Sequence, residues 1–165
     1  FQQSDKAQVD ILIVNKKDAY VRERAKALGI EQRYFTREDF YNSDKIVDLL
    51  TLRKTDLIVL AGFLWLVPQN LLAAFPNKIV NIHPALLPAY GGKGMYGHHV
   101  HQAVIAARES KSGITIHYVN EQYDRGDIIF QAECSLTDQD TVETLEEKIH
   151  LLEKEHYPKV IDSIL

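Results

Sequence analysis

Asn81, Ile82, His83 and Pro84 stand in succession at the end of an apolar run, and their types and spacing suit catalysis better than any other cluster in the chain. Residues two apart on a strand point to the same side, so Asn81 and His83 share one face. A carboxamide N–H can donate to an oxygen that becomes anionic during a reaction. An imidazole gives or takes a proton near neutral pH. The pair therefore suits acyl chemistry. The same two side chains would equally serve a strand end that satisfies the backbone of the following loop, and spacing alone leaves both readings open.

The elements that must position them alternate in type. Val9–Val14 is an apolar, β-branched run of strand length. Residues 18–28 carry apolar side chains at helical spacing and close at Gly29, which suits a helix C-terminus. Residues 33–36 form a short strand candidate, and Thr36 is the expected N-cap of a helical region reaching about Arg53. Residues 56–60 read as a buried strand, 69–74 as a short helix and 78–82 as a further buried strand. Such alternation predicts an α/β domain with a mostly parallel sheet covered on both faces. Ligands bind such sheets beyond the carboxyl ends of the strands, where Ala61–Trp65 and Asn81–Pro84 emerge.

The second half changes character. Residues 84–97 are rich in glycine and proline and predict irregular backbone. A helix is expected over 98–110, then strands over 114–120 and 127–132 joined by a turn around Tyr123–Gly126, an antiparallel hairpin. Thr141 begins a long final helix with Glu143 and Glu146 near its positive end, and Pro158 is expected to interrupt or kink it. No repeat or linker divides the 165 residues, which read as one domain spanning 1–165.

Composition narrows the function classes. The chain is 45% apolar and 25% charged, a globular balance, and its net charge of −4 gives no reason to expect nucleic acid as a partner. Leu57–Leu66 falls short of the roughly 20 residues that cross a bilayer, so no membrane partner is expected. Cys134 is the only cysteine, which excludes an internal disulfide, fits a reducing, cytoplasmic setting and reads as structural. His98, His99 and His101 cluster, but no acidic or cysteine partner lies at ligand spacing, so no metal is expected. His117, on a strand, reads as a packing residue.

Three stretches taken in order, Asn81-Ile82-His83-Pro84-Ala85-Leu86-Leu87-Pro88, His117-Tyr118-Val119 and Asp124-Arg125-Gly126-Asp127-Ile128-Ile129, resemble the formyltransferase family that uses 10-formyltetrahydrofolate. The resemblance runs from about Ile11 to the C-terminus. It implies a Rossmann-like, three-layer formyltransferase fold with a mostly parallel sheet and a C-terminal antiparallel hairpin. The implied reaction is attack by the amine of 5-phosphoribosylglycinamide on the formyl carbon, in purine synthesis. In this reading Asn81 donates to the formyl oxygen, His83 is a proton donor and Asp124 pairs with His83. A carboxylate beside an imidazolium raises the ring's pKa, which would keep His83 a donor at neutral pH. No protein nucleophile is required.

The same resemblance implies that backbone groups after Ala61-Gly62-Phe63, at Leu64, Trp65, Leu66 and Val67, meet the pterin ring. Val119, Asn120 and Asp124 form the other wall of that pocket. Arg37 would meet the folate tail, Glu153 the substrate ribose, and His99 the substrate side after a mobile glycine-rich loop. Trp65 departs from the arginine frequent in the family at its position. Residues 91–97 are longer than in shorter members, forming an expected lid with Lys93 able to meet a phosphate. The family's opening strand and its phosphate-cradling glycine loop have no counterpart here, so the fold is expected to be N-terminally incomplete, with Phe1-Gln2-Gln3 near the end of the helix after that loop. Monomer and homodimer are both open. Two further readings stay in view: a deformylase that uses water as acceptor, and a non-catalytic α/β binding module of the flavodoxin or receiver type. A tRNA-formylating member is disfavoured by the net negative charge.

Overall fold

The computed structural model describes residues 4 and 6–165. The expectation for Phe1, Gln2 and Gln3 falls outside the described residues. The chain divides into two compact units, one ending at Asp56 and the other running from Leu57 to Ile164.

The first unit holds β1 (Ile11–Val14), α1 (Val21–Ala27), β2 (Glu31–Tyr34), α2 (Arg37–Tyr41) and α3 (Lys45–Leu52). β1 and β2 pair in parallel, from Ile11 opposite Glu31 to Val14 opposite Tyr34. α1 ends as its sequence predicts. Gly29 takes φ +66°, and the Ile30 and Gly29 N–H groups return to the Ala25 and Lys26 carbonyls, satisfying acceptors that a helix end leaves open. Thr36 caps α2 reciprocally: its hydroxyl accepts from Asp39 N–H while the Asp39 carboxylate accepts from Thr36 N–H. The single helix expected from Thr36 to Arg53 is broken in two at Asn42-Ser43-Asp44. Ser43 Oγ donates to the Asp39 carbonyl at 2.7 Å, and three residues that compete for backbone hydrogen bonds in succession end the first helix there.

The second unit holds β3 (Ile58–Leu60), α4 (Gln69–Ala74), β4 (Ile79–His83), α5 (His98–Ala106), β5 (Lys111–Tyr118), β6 (Ile128–Ser135) and α6 (Val142–Ile164). Its sheet has the order β3-β4-β5-β6. β3 and β4 are parallel, whereas β4–β5 and β5–β6 are antiparallel, so the expected hairpin is present and the sheet reverses one strand before it. Two departures concern lengths. The run expected as a buried strand over 56–60 yields three residues with Val59 exposed, because β3 lies at the edge of this sheet. The hairpin strands are displaced toward longer ladders, leaving 119–127 as their connection.

The core of this unit explains where those elements stop. Ile79 and Val80 of β4, Ile114 and Ile116 of β5, Val100 and Val104 of α5, and Leu145, Ile149 and Ile161 of α6 are all essentially inaccessible. Each such aliphatic side chain contributes about 1.5–3 kcal/mol on burial. α6 packs on β5, β6 and α5. It also continues through Pro158 to Ile164 rather than stopping there. Pro158 removes one helical N–H near the end of a long helix, and the buried Val160 and Ile161 beyond it hold the final turn on the core.

Candidate active site

β4 carries Asn81 and His83 to its carboxyl end, and β5 returns antiparallel beside it with Asn81 opposite His117 and His83 opposite Thr115. Directly opposed residues in an antiparallel pair share a face. The connection 119–127 then brings Asp124 over the same edge. Asp124 has φ +55°, a left-handed conformation that asparagine and aspartate tolerate better than most residues. Two residues later Gly126 has no room for a side chain, since a Cβ there would lie 1.7 Å from the Tyr118 carbonyl oxygen. The D-x-G spacing thus has a steric cause: Gly126 lets the turn fold onto β5, and that fold places Asp124.

The three expected catalytic side chains meet. His83 Nδ1 lies 3.6 Å from Asp124 Oδ2, and His117 Nε2 lies 3.7 Å from Asp124 Oδ1. His83 is 3% exposed and its Nε2 is 2.8 Å from the Tyr90 carbonyl oxygen. A carbonyl only accepts, so Nε2 carries the proton and Nδ1 is the nitrogen turned toward Asp124. His117 obeys the same logic. Its Nδ1 is 2.8 Å from the Tyr118 carbonyl and therefore donates, and its Nε2 is 3.2 Å from the Asn81 amide nitrogen. Asn81 also borders the cavity. His117, which strand position had marked as packing, is the joint between Asn81 and Asp124.

Asp124 was expected to hold His83 protonated. Burial pushes the His83 pKa below the usual 6.5 and His117 adds to the depression, against the upward pull of Asp124 and the Tyr90 carbonyl. Burial also pushes the Asp124 carboxyl up, yet His117, the Gly92 N–H at 2.8 Å and the His83 ring together hold it below the ordinary range. His83 Nδ1 and an Asp124 carboxylate oxygen thus face each other across 3.6 Å. That arrangement is suited to moving a proton to or from a bound N–H or O–H group.

These groups border a cavity of about 440 Å³. Leu64, Trp65, Leu66 and Val67 line one side, with Phe63 edge-on to Trp65 at 5.9 Å between ring centres. Val119, Asn120 and Asp124 line another. The glycine-rich loop contributes Gly92–Gly97, including the exposed Lys93. Glu153 lines the cavity from α6 beside Glu146 and His150, and burial pushes its carboxyl pKa up. Arg37 belongs to the first unit, its guanidinium over the Tyr41 ring at 5.4 Å. His99 is exposed with its ring against Tyr96, because the helix starting after Gly97 turns His101 inward instead. His101 is 2% exposed, lines the cavity and has no partner for Nδ1. Among the described residues no three His, Cys, Asp or Glu side chains converge as a metal ion would need.

An apolar wall with an amide, an imidazole and a carboxylate at one end of the cavity suits a flat ring held beside a site for acyl chemistry. Comparison with known proteins agrees. The family described as formyl transferase matches residues 1–161. The chain is 39% identical over 163 residues to the phosphoribosylglycinamide formyltransferase of Bacillus subtilis, covering 96% of this chain and 81% of that protein. It is 42% identical over 161 residues to the chloroplastic phosphoribosylglycinamide formyltransferase of Arabidopsis thaliana, where it spans 94% of its own length and 55% of the relative's. The crystal structure of phosphoribosylglycinamide formyltransferase from Bacillus halodurans superposes with a TM-score of 0.85 at 38% identity, covering 96% of this chain and 81% of that one. The α/β architecture is accordingly the Rossmann-like formyltransferase fold. A family match over nearly the whole sequence, a shared fold and a converging Asn-His-Asp site place this chain in the formyl transferase family.

Proposed function

We propose that this protein is a phosphoribosylglycinamide formyltransferase. It moves the formyl group of 10-formyltetrahydrofolate to the amine of 5-phosphoribosylglycinamide in purine biosynthesis. Residues 1–165 are read as one formyltransferase domain. The observation that carries the reading is the convergence of Asn81, His83 and Asp124 at the end of one cavity, in relatives of whose kind the activity is named.

The mechanism follows from the proton positions. As the amine attacks the formyl carbon, charge develops on the formyl oxygen, and the Asn81 amide, which borders the cavity, stabilises it in this reading. The attacking nitrogen becomes positive and must lose a proton. His83 Nδ1 accepts it, and Asp124 stabilises the resulting imidazolium. The intermediate collapses when the same Nδ1 proton is given to the departing folate nitrogen, which returns His83 to its starting state. His83 is therefore an acceptor first and a donor second. Leu64–Val67 and Val119–Asp124 are proposed to hold the pterin, Glu153 the ribose, and Arg37 the folate tail. His101, facing the cavity, replaces His99 as the histidine on the substrate side. Lys93 is proposed to meet the phosphate.

The test follows folate product by absorbance with and without 5-phosphoribosylglycinamide. Turnover that requires the ribonucleotide and disappears in His83→Ala is expected. Turnover without the ribonucleotide makes water the acceptor and replaces the transferase reading with a deformylase.

A further inference from the structure

Tyr157 lies outside the lining of the cavity, yet its hydroxyl reaches the two strand ends from which that lining is built. On α6 it follows Glu153 by four residues, so the two side chains are neighbours on one face of the helix. Glu153 borders the cavity, while the Tyr157 hydroxyl is turned to the sheet. It donates to the Leu60 carbonyl at 2.8 Å and lies 3.5 Å from the Val80 carbonyl. A phenol carries one proton, so Leu60 is its main acceptor. Leu60 is the last residue of β3 and pairs with Asn81, and Val80 is the residue before Asn81 on β4. Directly past Leu60 the chain turns at Gly62, with φ +62°, into the Phe63–Val67 wall.

α6 needs an anchor at this point. Pro158 has no N–H to give the Lys154 carbonyl four residues before it, and a proline ring crowds the carbonyl at that position. The turn directly after Glu153 therefore lacks one of the helical bonds that would hold its own geometry. Buried side chains fix α6 to the core before that turn, at Leu145 and Ile149, and after it, at Val160 and Ile161. Within the turn, the Tyr157 hydroxyl makes the connection to β3 and β4. We propose that Tyr157 is a positioning residue: its hydroxyl fixes the Glu153 turn of α6 to the carboxyl ends of β3 and β4, and so sets the ribose side of the cavity against the pterin side. The assignment of those two sides rests on the formyl-transfer reading, whereas the fixing of the strand ends does not, so the two fail separately.

Trp65 is the single tryptophan of the chain and stands on the wall that Leu60 leads into, so its emission reports on that wall without any substrate. Tyr157→Phe keeps the ring and removes only the hydroxyl, and it is compared with the intact protein where both are folded. Acrylamide quenching of Trp65 should rise by about twofold in the variant, as the segment after Leu60 loosens. With 10-formyltetrahydrofolate and 5-phosphoribosylglycinamide, kcat should fall by roughly tenfold while each KM stays within about twofold, because each substrate keeps its own wall and only their mutual placement is lost. In a Glu153→Gln background the ribose is no longer held from α6, and the same deletion should lower kcat by less than about twofold. A residue that contributed stability alone would leave the quenching unchanged and would act equally in both backgrounds, and either result overturns the inference. Raised quenching in a protein that transfers no formyl group supports the anchoring of the strand ends and sinks the activity.

Discussion

Replacing Gly126 with alanine places a methyl carbon 1.7 Å from the Tyr118 carbonyl oxygen and 2.7 Å from its carbon. Carbon–oxygen contacts in proteins settle near 3.3–3.6 Å, so the turn must retreat from β5 by roughly 1.6 Å. Neither partner is a flexible side-chain end. The Tyr118 carbonyl belongs to β5 and accepts from His117 Nδ1, and Tyr118 N–H is bonded to the Asp127 carbonyl at 2.9 Å on the other side of the turn. Retreat of Gly126 therefore stretches the Tyr118–Asp127 bond and carries Asp124 away from His83 and His117. Overpacking of this kind costs about 1–3 kcal/mol of stability. Misplacement of a reacting group by about 1 Å costs on the order of 100-fold in rate. Urea unfolding at constant m-value and steady-state formyl transfer measure the two effects. Gly126→Ala should lower the urea midpoint and reduce kcat by about 100-fold, while KM for the folate moves less. A variant with wild-type kcat and a stability loss below about 0.5 kcal/mol refutes the steric account, because the turn would then have relaxed without moving Asp124.

Three further outcomes follow from the same geometry. Asn81→Ala removes the side-chain donor proposed for the formyl oxygen and should reduce kcat by about 100- to 1,000-fold, whereas a loss below tenfold would assign oxyanion stabilisation elsewhere. Tyr157→Phe deletes the hydroxyl that donates to the Leu60 carbonyl at 2.8 Å, and the half-buried carbonyl left without it should cost about 1–3 kcal/mol in a denaturant titration; an unchanged midpoint would show that water replaces the hydroxyl. For pH, burial lowers the pKa of both His83 and His101 below the usual 6.5. The unfolded chain then binds protons that the folded chain refuses, so stability is complete above pH 6.5 and declines as pH falls through 6.5 toward the depressed values. His83→Gln and His101→Gln should each flatten that decline, and a stability that instead rises on acidification contradicts the lowered pKa of both rings.

Much of the site was legible because a strand has a period of two. Asn81 and His83 had to share a face, and an apolar run ending in them had to place that face at a sheet end. What sequence spacing does not contain is burial. His83 beside Asp124 reads as an ion pair until the ring is found 3% exposed, where desolvation pulls its pKa down against the carboxylate. Helical phase was similarly out of reach. His99 and His101 differ in exposure because α5 begins after Gly97, which turns the second ring inward and leaves the first on Tyr96. The division of the expected 36–53 helix at Ser43 depends on one side chain choosing a backbone carbonyl, a local competition that apolar periodicity does not register.

The largest omission, His117, was hidden by topology rather than by chemistry. Two strands read separately give two pairs at the same spacing, Asn81 with His83 and Thr115 with His117, and nothing in either strand says that they face one another. The antiparallel return of β5 does, and its register gives each β4 residue a counterpart: His117 opposite Asn81 and Thr115 opposite His83. The first counterpart orients the amide directly, and the second reaches His83 through the Ala85–Tyr90 segment. A slip of one residue would turn either pair to the opposite face of the sheet. The buried ladder from Val80 opposite Tyr118 to His83 opposite Thr115 prevents that slip, with Ile82 and Ile116 paired between the polar couples. The reversal of strand direction between β4 and β5 is thus what converts an Asn-x-His spacing, common enough at strand ends, into an amide braced by His117 beside an imidazole that faces Asp124.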